Sequence, residues 1–142
     1  MMSTEHNKEI VRRYRQTHAT NQLDQLDEIV AADLFAHNLL PGFPPDLEGG
    51  KTVHRMILAS FPDYTAETEG ELIAEGDKVV ERWRASGTFT GEPYLGTTPT
   101  GKKFSATGIS IYRIAHGKIV EHLAEADFLG VNQQLGTLPA MG

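Results

Sequence analysis

The hydrophobic period of this chain changes once, near its middle. Up to about residue 60, apolar side chains recur at helical spacing; from about 64 to 127 they alternate every second residue. No repeat and no low-complexity segment interrupts the pattern. Helices first and a long antiparallel meander second is an α+β arrangement. The N-terminal helices should pack in a curved, mostly antiparallel sheet, giving a cone-shaped barrel with one open end. Such a shape leaves an internal apolar cavity of the kind that holds small molecules.

The helical half divides into three pieces. Thr4 is placed to cap a first helix, with Asn7 to Thr20 free of Pro and Gly and with Ile10, Val11, Tyr14 and His18 on one stripe. Asn21 would cap a second, shorter helix that buries Leu23, Leu26, Ile29 and Val30. Residues 33–38 read as extended and lead into the loop Pro41-Gly42-Phe43-Pro44-Pro45. A third helix is expected to start between Gly49 and Thr52 and to stop before Pro62.

In the second half, Tyr64 to Ala74 alternates with Ala66, Leu72 and Ala74 on one side. The short turn Glu75-Gly76-Asp77 sends Lys78 to Thr90 back antiparallel. On that strand Val79, Trp83, Ala85 and Phe89 face one way, and Arg82, Arg84, Ser86 and Thr88 the other. Glu81 interrupts the apolar face. Residues 91–102 form a loop, 103–115 and 118–126 two further strands, and 128–136 a last helical turn with a loose tail after about 136. One domain over residues 1–142 follows from the length.

Composition narrows the function. The 142 residues carry 13 basic and 19 acidic side chains, a net charge of −6, with no basic run that would suit nucleic acid. The absence of cysteine excludes a disulfide scaffold, a thiolate zinc site and a cysteine nucleophile. No apolar run approaches the ~18 residues of a membrane helix, and the first nine residues lack a signal-peptide core, so a cytoplasmic location is expected. The six histidines are scattered without the i, i+4 spacing of a helical metal site, so no metal is assigned. Gly-x-Ser-x-Gly is absent, and Gly101-Lys102 lacks the rest of a phosphate loop.

Several strings occur together in order: Ser60-Phe61-Pro62-Asp63-Tyr64, Glu75-Gly76-Asp77-Lys78-Val79-Val80, Ser86-Gly87-Thr88-Phe89, Pro99-Thr100-Gly101-Lys102, then Ile111-Tyr112-Arg113-Ile114 through Glu121-His122 to Asp127 and Gln134-Leu135-Gly136. From Phe35 to Gly136 the chain resembles the SnoaL-like polyketide cyclases, a branch of the nuclear-transport-factor-2-like superfamily. The resemblance implies a small enzyme without metal or cofactor that closes a ring of an apolar carbonyl substrate by an intramolecular aldol reaction or a related isomerisation. It implies a catalytic aspartate near the end of the last strand, which Asp127 matches by position. The chain departs from the family at Leu123, where Trp is frequent, at Phe89, where His is frequent, and in the loop Gly96 to Pro99. These changes re-line the pocket.

The residues themselves leave alternatives open. Asp127 is either an acid/base in apolar surroundings or the N-cap of the final helical turn. His37, the second catalytic candidate, and Asn38 stand near an expected cavity mouth as proton shuttle and carbonyl donor, or else cap the loop. Trp83 and Phe89 are stacking walls or plain core. Tyr14 reaches inward as an oxyanion donor or a core residue, and Glu81 is a second acid/base or a strand-edge residue. Phe61 and Leu123 complete the expected substrate-binding set. His122 shares a strand face with Ala124 and Ala126 and is read as structural or interfacial. A non-catalytic binding module is the competing function. Epoxide hydrolysis through Asp127, Glu81 and Arg82 or Arg84 ranks below it, because alternation puts the arginines opposite Glu81. The sheet face carrying Arg82, Arg84, Tyr112 and His122 is expected to pair two copies into a homodimer.

Overall fold

The computed structural model describes residues 3–137; the part of the expected loose tail from 138 to 142 lies outside them. Helix α1 (Thr4–Ala19) begins one residue earlier than expected at its cap. The hydroxyl of Ser3 accepts the His6 N–H at 3.1 Å, so Thr4 is the first helical residue. Ile10 and Val11 are buried, and Tyr14 and His18 continue the same stripe.

The second helix is a short 3-10 helix (Leu23–Glu28), and Asn21 does not cap it. Asn21 adopts a left-handed φ of 58°, whereas a capping residue is extended, and its amide oxygen instead meets His54. Strand β1 (Val30–Ala36) follows directly. Helix α2 (Leu47–Ser60) starts ahead of the expected point because Asp46 caps it, its Oδ1 accepting the Gly49 N–H at 3.0 Å.

The alternating run 64–74 is two strands, β2 (Thr65–Thr68) and β3 (Ile73–Glu75). Between Thr68 and Ile73 the chain advances five residues while its partner advances three, from Trp83 to Val80. The excess bulges out at Gly70, whose φ of +72° suits a residue without a side chain. Both segments pair with β4 (Lys78–Thr88), which ends early where Asp63 takes the Thr88 N–H and hydroxyl, each at 2.7 Å. Strands β5 (Lys103–Ala115) and β6 (Lys118–Ala126) complete an open sheet in the order β1-β6-β5-β4-β2. β1 runs parallel to β6 and the other pairs are antiparallel. Helix α3 (Phe128–Leu135) packs on β5.

This is the expected α+β class. On β5 the even-numbered residues point towards the helices: Phe104, Ala106, Ser110, Tyr112 and Ile114 are all buried. On β6 Ile119 is inward, and after a register shift the even-numbered His122, Ala124 and Ala126 take that side, opposite Tyr112, Ser110 and Gly108. Two cores result. One gathers Ile10, Val11, Leu26, Val79 and Tyr112 beneath α1; the other gathers Phe61, Ala85, Phe89, Phe104 and Leu135 beneath α2 and α3. The opposite face carries Ile109 and Ile111, 46% and 38% exposed, with Arg82, Arg84 and Glu121. Tyr112 and His122 are not on that outer face. Their even register turns them inward, and Tyr112 is fully buried.

Candidate functional site

Between helices and sheet lie two adjoining chambers of about 240 and about 360 Å³ that share Ile57, Tyr64 and Trp83 as a common wall. The larger is aromatic. Phe61 and Phe89 stack at 5.1 Å, Phe104 stands edge-on to Phe61 at 5.3 Å, and Ala126, Phe128 and Val131 close the side towards α3. The smaller contains the imidazoles of His18, His54 and His122 with Tyr14 and Asn38.

Trp83 stands between them because its two neighbours in the sheet leave room and give a handle. Its register partner is Gly108, where a Cβ would lie 2.1 Å from the indole. Its Nε1–H donates to Ser110 Oγ at 2.9 Å. The indole is thereby fixed in direction as well as in place.

Behind the histidine chamber sits a buried polar network. Glu81, fully buried, accepts two hydrogen bonds from the Arg15 guanidinium (3.0 and 2.7 Å), one from Thr68 (2.6 Å) and one from Tyr112 (2.6 Å). Burial pushes the Glu81 carboxyl up, but the Arg15 guanidinium, with the two hydroxyls, outweighs it and holds the group below the usual carboxylate range. The His122 ring stacks on Tyr112 at 4.8 Å and 8°. Burial, helped by the Arg15 charge, lowers His122 to about 4, so it is neutral near pH 7. Burial likewise lowers His18 to about 3, against a hydrogen bond to the Tyr14 carbonyl that works the other way. Tyr14 is pushed up to about 12 by burial.

The residues singled out from sequence are distributed unevenly over this geometry. Trp83 lines both chambers, Phe61 and Phe89 the aromatic one, Tyr14 and Asn38 the histidine one. Glu81 is in the wall behind rather than on the surface of either. Leu123 lies opposite Ile111 on the outer side of the sheet and lines neither chamber. His37 is exposed, its Nε2 2.5 Å from Glu121, which also takes Arg113 at 2.8 Å; it too lines neither chamber. Asp127 is exposed between the lining residues Ala126 and Phe128, and its Oδ1 accepts the Gly130 N–H at 2.9 Å as the cap of α3. The residues that sequence reasoning missed as site residues are Arg15, His18, His54, Tyr64 and Ser110. His18 had a signal, since it falls on the α1 stripe; Arg15 had none, since its neighbour Tyr14 claims that stripe.

A helix-backed mixed sheet enclosing a chambered interior is an α+β cone. Within that class the assignment is specific: residues 8–135 match the SnoaL-like polyketide cyclases, and the chain belongs to that family. It is 27% identical over 131 residues to the aklanonic acid methyl ester cyclase DnrD of Streptomyces peucetius, covering 90% of this chain and 89% of that one. The structure of TsrD from Streptomyces laurentii superposes with a TM-score of 0.85 at 27% identity, over 97% of this chain and 100% of the other. Wild-type IdmH from Streptomyces antibioticus gives 0.79 at 31% identity, over 92% and 98%. No helix among the described residues is long and apolar enough to cross a membrane.

Proposed function

We propose that the chain binds an apolar carbonyl compound of polyketide type and closes a ring in it by an aldol-type condensation. The observation that carries this reading is the aromatic chamber, whose Phe61, Phe89 and Trp83 suit flat fused rings and whose edge at Ala126 and Phe128 flanks a carboxylate. In the reaction a base removes a proton α to one carbonyl, the enolate carbon attacks a second carbonyl, and the new alkoxide takes up a proton. Asp127 is the base in this reading. A ligand seated against Ala126 and Phe128 would bring its acidic C–H beside this carboxylate and hold the pair in line for the transfer. The cap uses Oδ1, so the second oxygen is the one assigned to the proton. His37, hydrogen-bonded to Glu121 on the outer side of the sheet, is given no part. The relative that is an ester cyclase supports the substrate class.

A second reading, ligand binding without turnover, is favoured by one observation: Asp127 is exposed and already employed as a helix cap. The variant Asp127→Asn separates the two, because Asn caps a helix as well as Asp does. Offered aklanonic acid methyl ester, the wild-type chain is expected to form cyclised product, and the variant to lose at least about a hundredfold in rate with an unchanged melting temperature. Equal rates would leave Asp127 as a cap alone. Binding without product in the wild type would establish the second reading.

A further inference from the structure

An enolised carbonyl gathers negative charge on its oxygen, and in an apolar chamber that charge needs a hydrogen-bond donor. Several polar hydrogens on the walls of the aromatic chamber are already given away. Trp83 Nε1–H goes to Ser110 at 2.9 Å, the Asn132 amide to the Phe128 carbonyl at 2.9 Å, and the Thr137 hydroxyl to Asn132 Oδ1 at 2.7 Å.

The Tyr64 hydroxyl is free. It has no hydrogen-bond partner among the described residues, and it is not sealed: the unpartnered side-chain atoms cut off from solvent belong to Asn7 and His122. Tyr64 stands in the wall that the two chambers share. With Arg15 it also lines a recess of about 50 Å³. Its backbone is held on both sides. The Tyr64 N–H donates to the carbonyl of the buried Phe61 at 2.9 Å, Asp63 is tied to Thr88, and Thr65 opens β2 opposite Ser86. A side chain on so fixed a segment can aim a donor. Tyr94 and Thr97, which also border the aromatic chamber, belong instead to the loop between β4 and β5.

Burial raises the Tyr64 pKa, against the Arg15 charge, so the phenol keeps its hydrogen near pH 7 and can offer it. Tyr14 and Tyr94 line one chamber each. Both are raised chiefly by burial and to a smaller extent by the Tyr64 oxygen, which is therefore within electrostatic reach of both.

We propose that Tyr64 is the donor to a carbonyl oxygen of the ligand, fixing that carbonyl at the wall between the chambers and holding the negative charge it takes up on enolisation. The carbonyl ligand rests on the reading above; the hydrogen bond itself requires no turnover. In the reaction the α C–H proton goes to Asp127, whose neighbours Ala126 and Phe128 line the same chamber. The electron pair moves onto the carbonyl oxygen, and Tyr64 keeps its own hydrogen while sharing it with that oxygen. When the enolate carbon attacks the second carbonyl, the pair returns to form the new C–C bond.

The test uses the full chain and two probes of one shape: 2-acetylnaphthalene and 2-isopropenylnaphthalene, in which a CH2 group replaces the carbonyl oxygen. Tyr64→Phe should weaken binding of the ketone about fivefold and leave the alkene unchanged, whereas Tyr94→Phe should leave the ketone-to-alkene ratio as it is in the wild type. The infrared carbonyl stretch of the ketone bound to the wild type should lie below its value in hexane and return towards it in Tyr64→Phe. A measurement on the wild type alone guards against a misfolded variant: with tyrosine labelled at Cζ, the Tyr64 carbon signal should move with the ketone and not with the alkene. With aklanonic acid methyl ester, Tyr64→Phe should lose about a hundredfold in kcat with a smaller change in KM. Equal weakening of ketone and alkene, no weakening of either, a carbonyl stretch as in hexane, or a Tyr64 signal that moves alike with both probes would each overturn the donor. If the wild type forms no cyclised product but ketone binding depends on Tyr64, the proposed reaction fails and the hydrogen bond stands. Cyclisation at an equal rate in Tyr64→Phe gives the reverse result.

Discussion

Glu81 shows how a single residue ties a helix to a sheet. It stands at the middle of β4 on the inward face, between Val79 and Trp83, where alternation demands an apolar side chain. Its burial is tolerable because four hydrogen bonds fill both oxygens, two of them from a guanidinium. Truncation to alanine would strand the Arg15 charge, with only 17% of its side chain exposed, and would open a cavity beside Tyr112. Glu81→Ala is therefore expected to lose about 3–5 kcal/mol of unfolding free energy in urea. Glu81→Gln, which can still meet Thr68 and Tyr112, should lose less. A loss below about 1 kcal/mol for the alanine variant would show that the pair contributes nothing over its desolvation. Glu81 could be picked out of the sequence as a break in a pattern. Its partner could not, because an arginine beside an apolar stripe is the ordinary signature of a solvated helix edge.

Helix α3 is eight residues long, too short to hold itself, and it depends on its ends. Asp127 closes the first and Gly136, in a left-handed conformation at φ 72°, the last. Asp127→Ala should cost about 1 kcal/mol in thermal or urea unfolding, and Asp127→Asn almost nothing. Equal losses in both variants would mean that the charge, rather than the cap, is the stabilising feature. The same residue shows what was legible at this scale. The position of a helix start after Ala126 could be read from the sequence, as could the three long strands, because alternation over nine or more residues is a strong signal. The split of the 64–74 run into β2 and β3 could not, because a two-residue bulge at Gly70 preserves the side on which Ala66 and Leu72 lie. Nor could the inward face of β6. His122, Ala124 and Ala126 alternate with Leu123 and Glu125, and neither set is apolar enough to declare itself. Register with Tyr112 and Ser110 on β5 settles the choice, and register is a property of the pair rather than of the strand.

For the molecule as a whole, the buried imidazoles make folding itself sensitive to pH. An unfolded histidine titrates near 6.5. In the folded chain His18 is lowered to about 3 and His122 to about 4, and His54 is lowered as well, in each case chiefly by burial. Between those values and 6.5 the unfolded chain holds more protons than the folded one, so unfolding is favoured as pH falls. The stabilisation from His18 and His122 is fully present above about pH 6.5 and is lost progressively down to about pH 3–4, and His54 adds to the loss below 6.5. For His122 alone the shift corresponds to about 3 kcal/mol. Glu81 acts in a lower window: its carboxyl is held below the usual range, so its share of stability persists until pH drops under about 4.3 and disappears only beneath that. The urea midpoint should accordingly fall from pH 7 towards pH 4, before the Glu81 network is challenged. His122→Phe, with no ring nitrogen to protonate, should flatten that descent by its own portion and leave the loss below pH 4 unaltered. A midpoint constant from pH 7 to pH 5 would mean that the smaller chamber admits enough water to keep the three rings solvated.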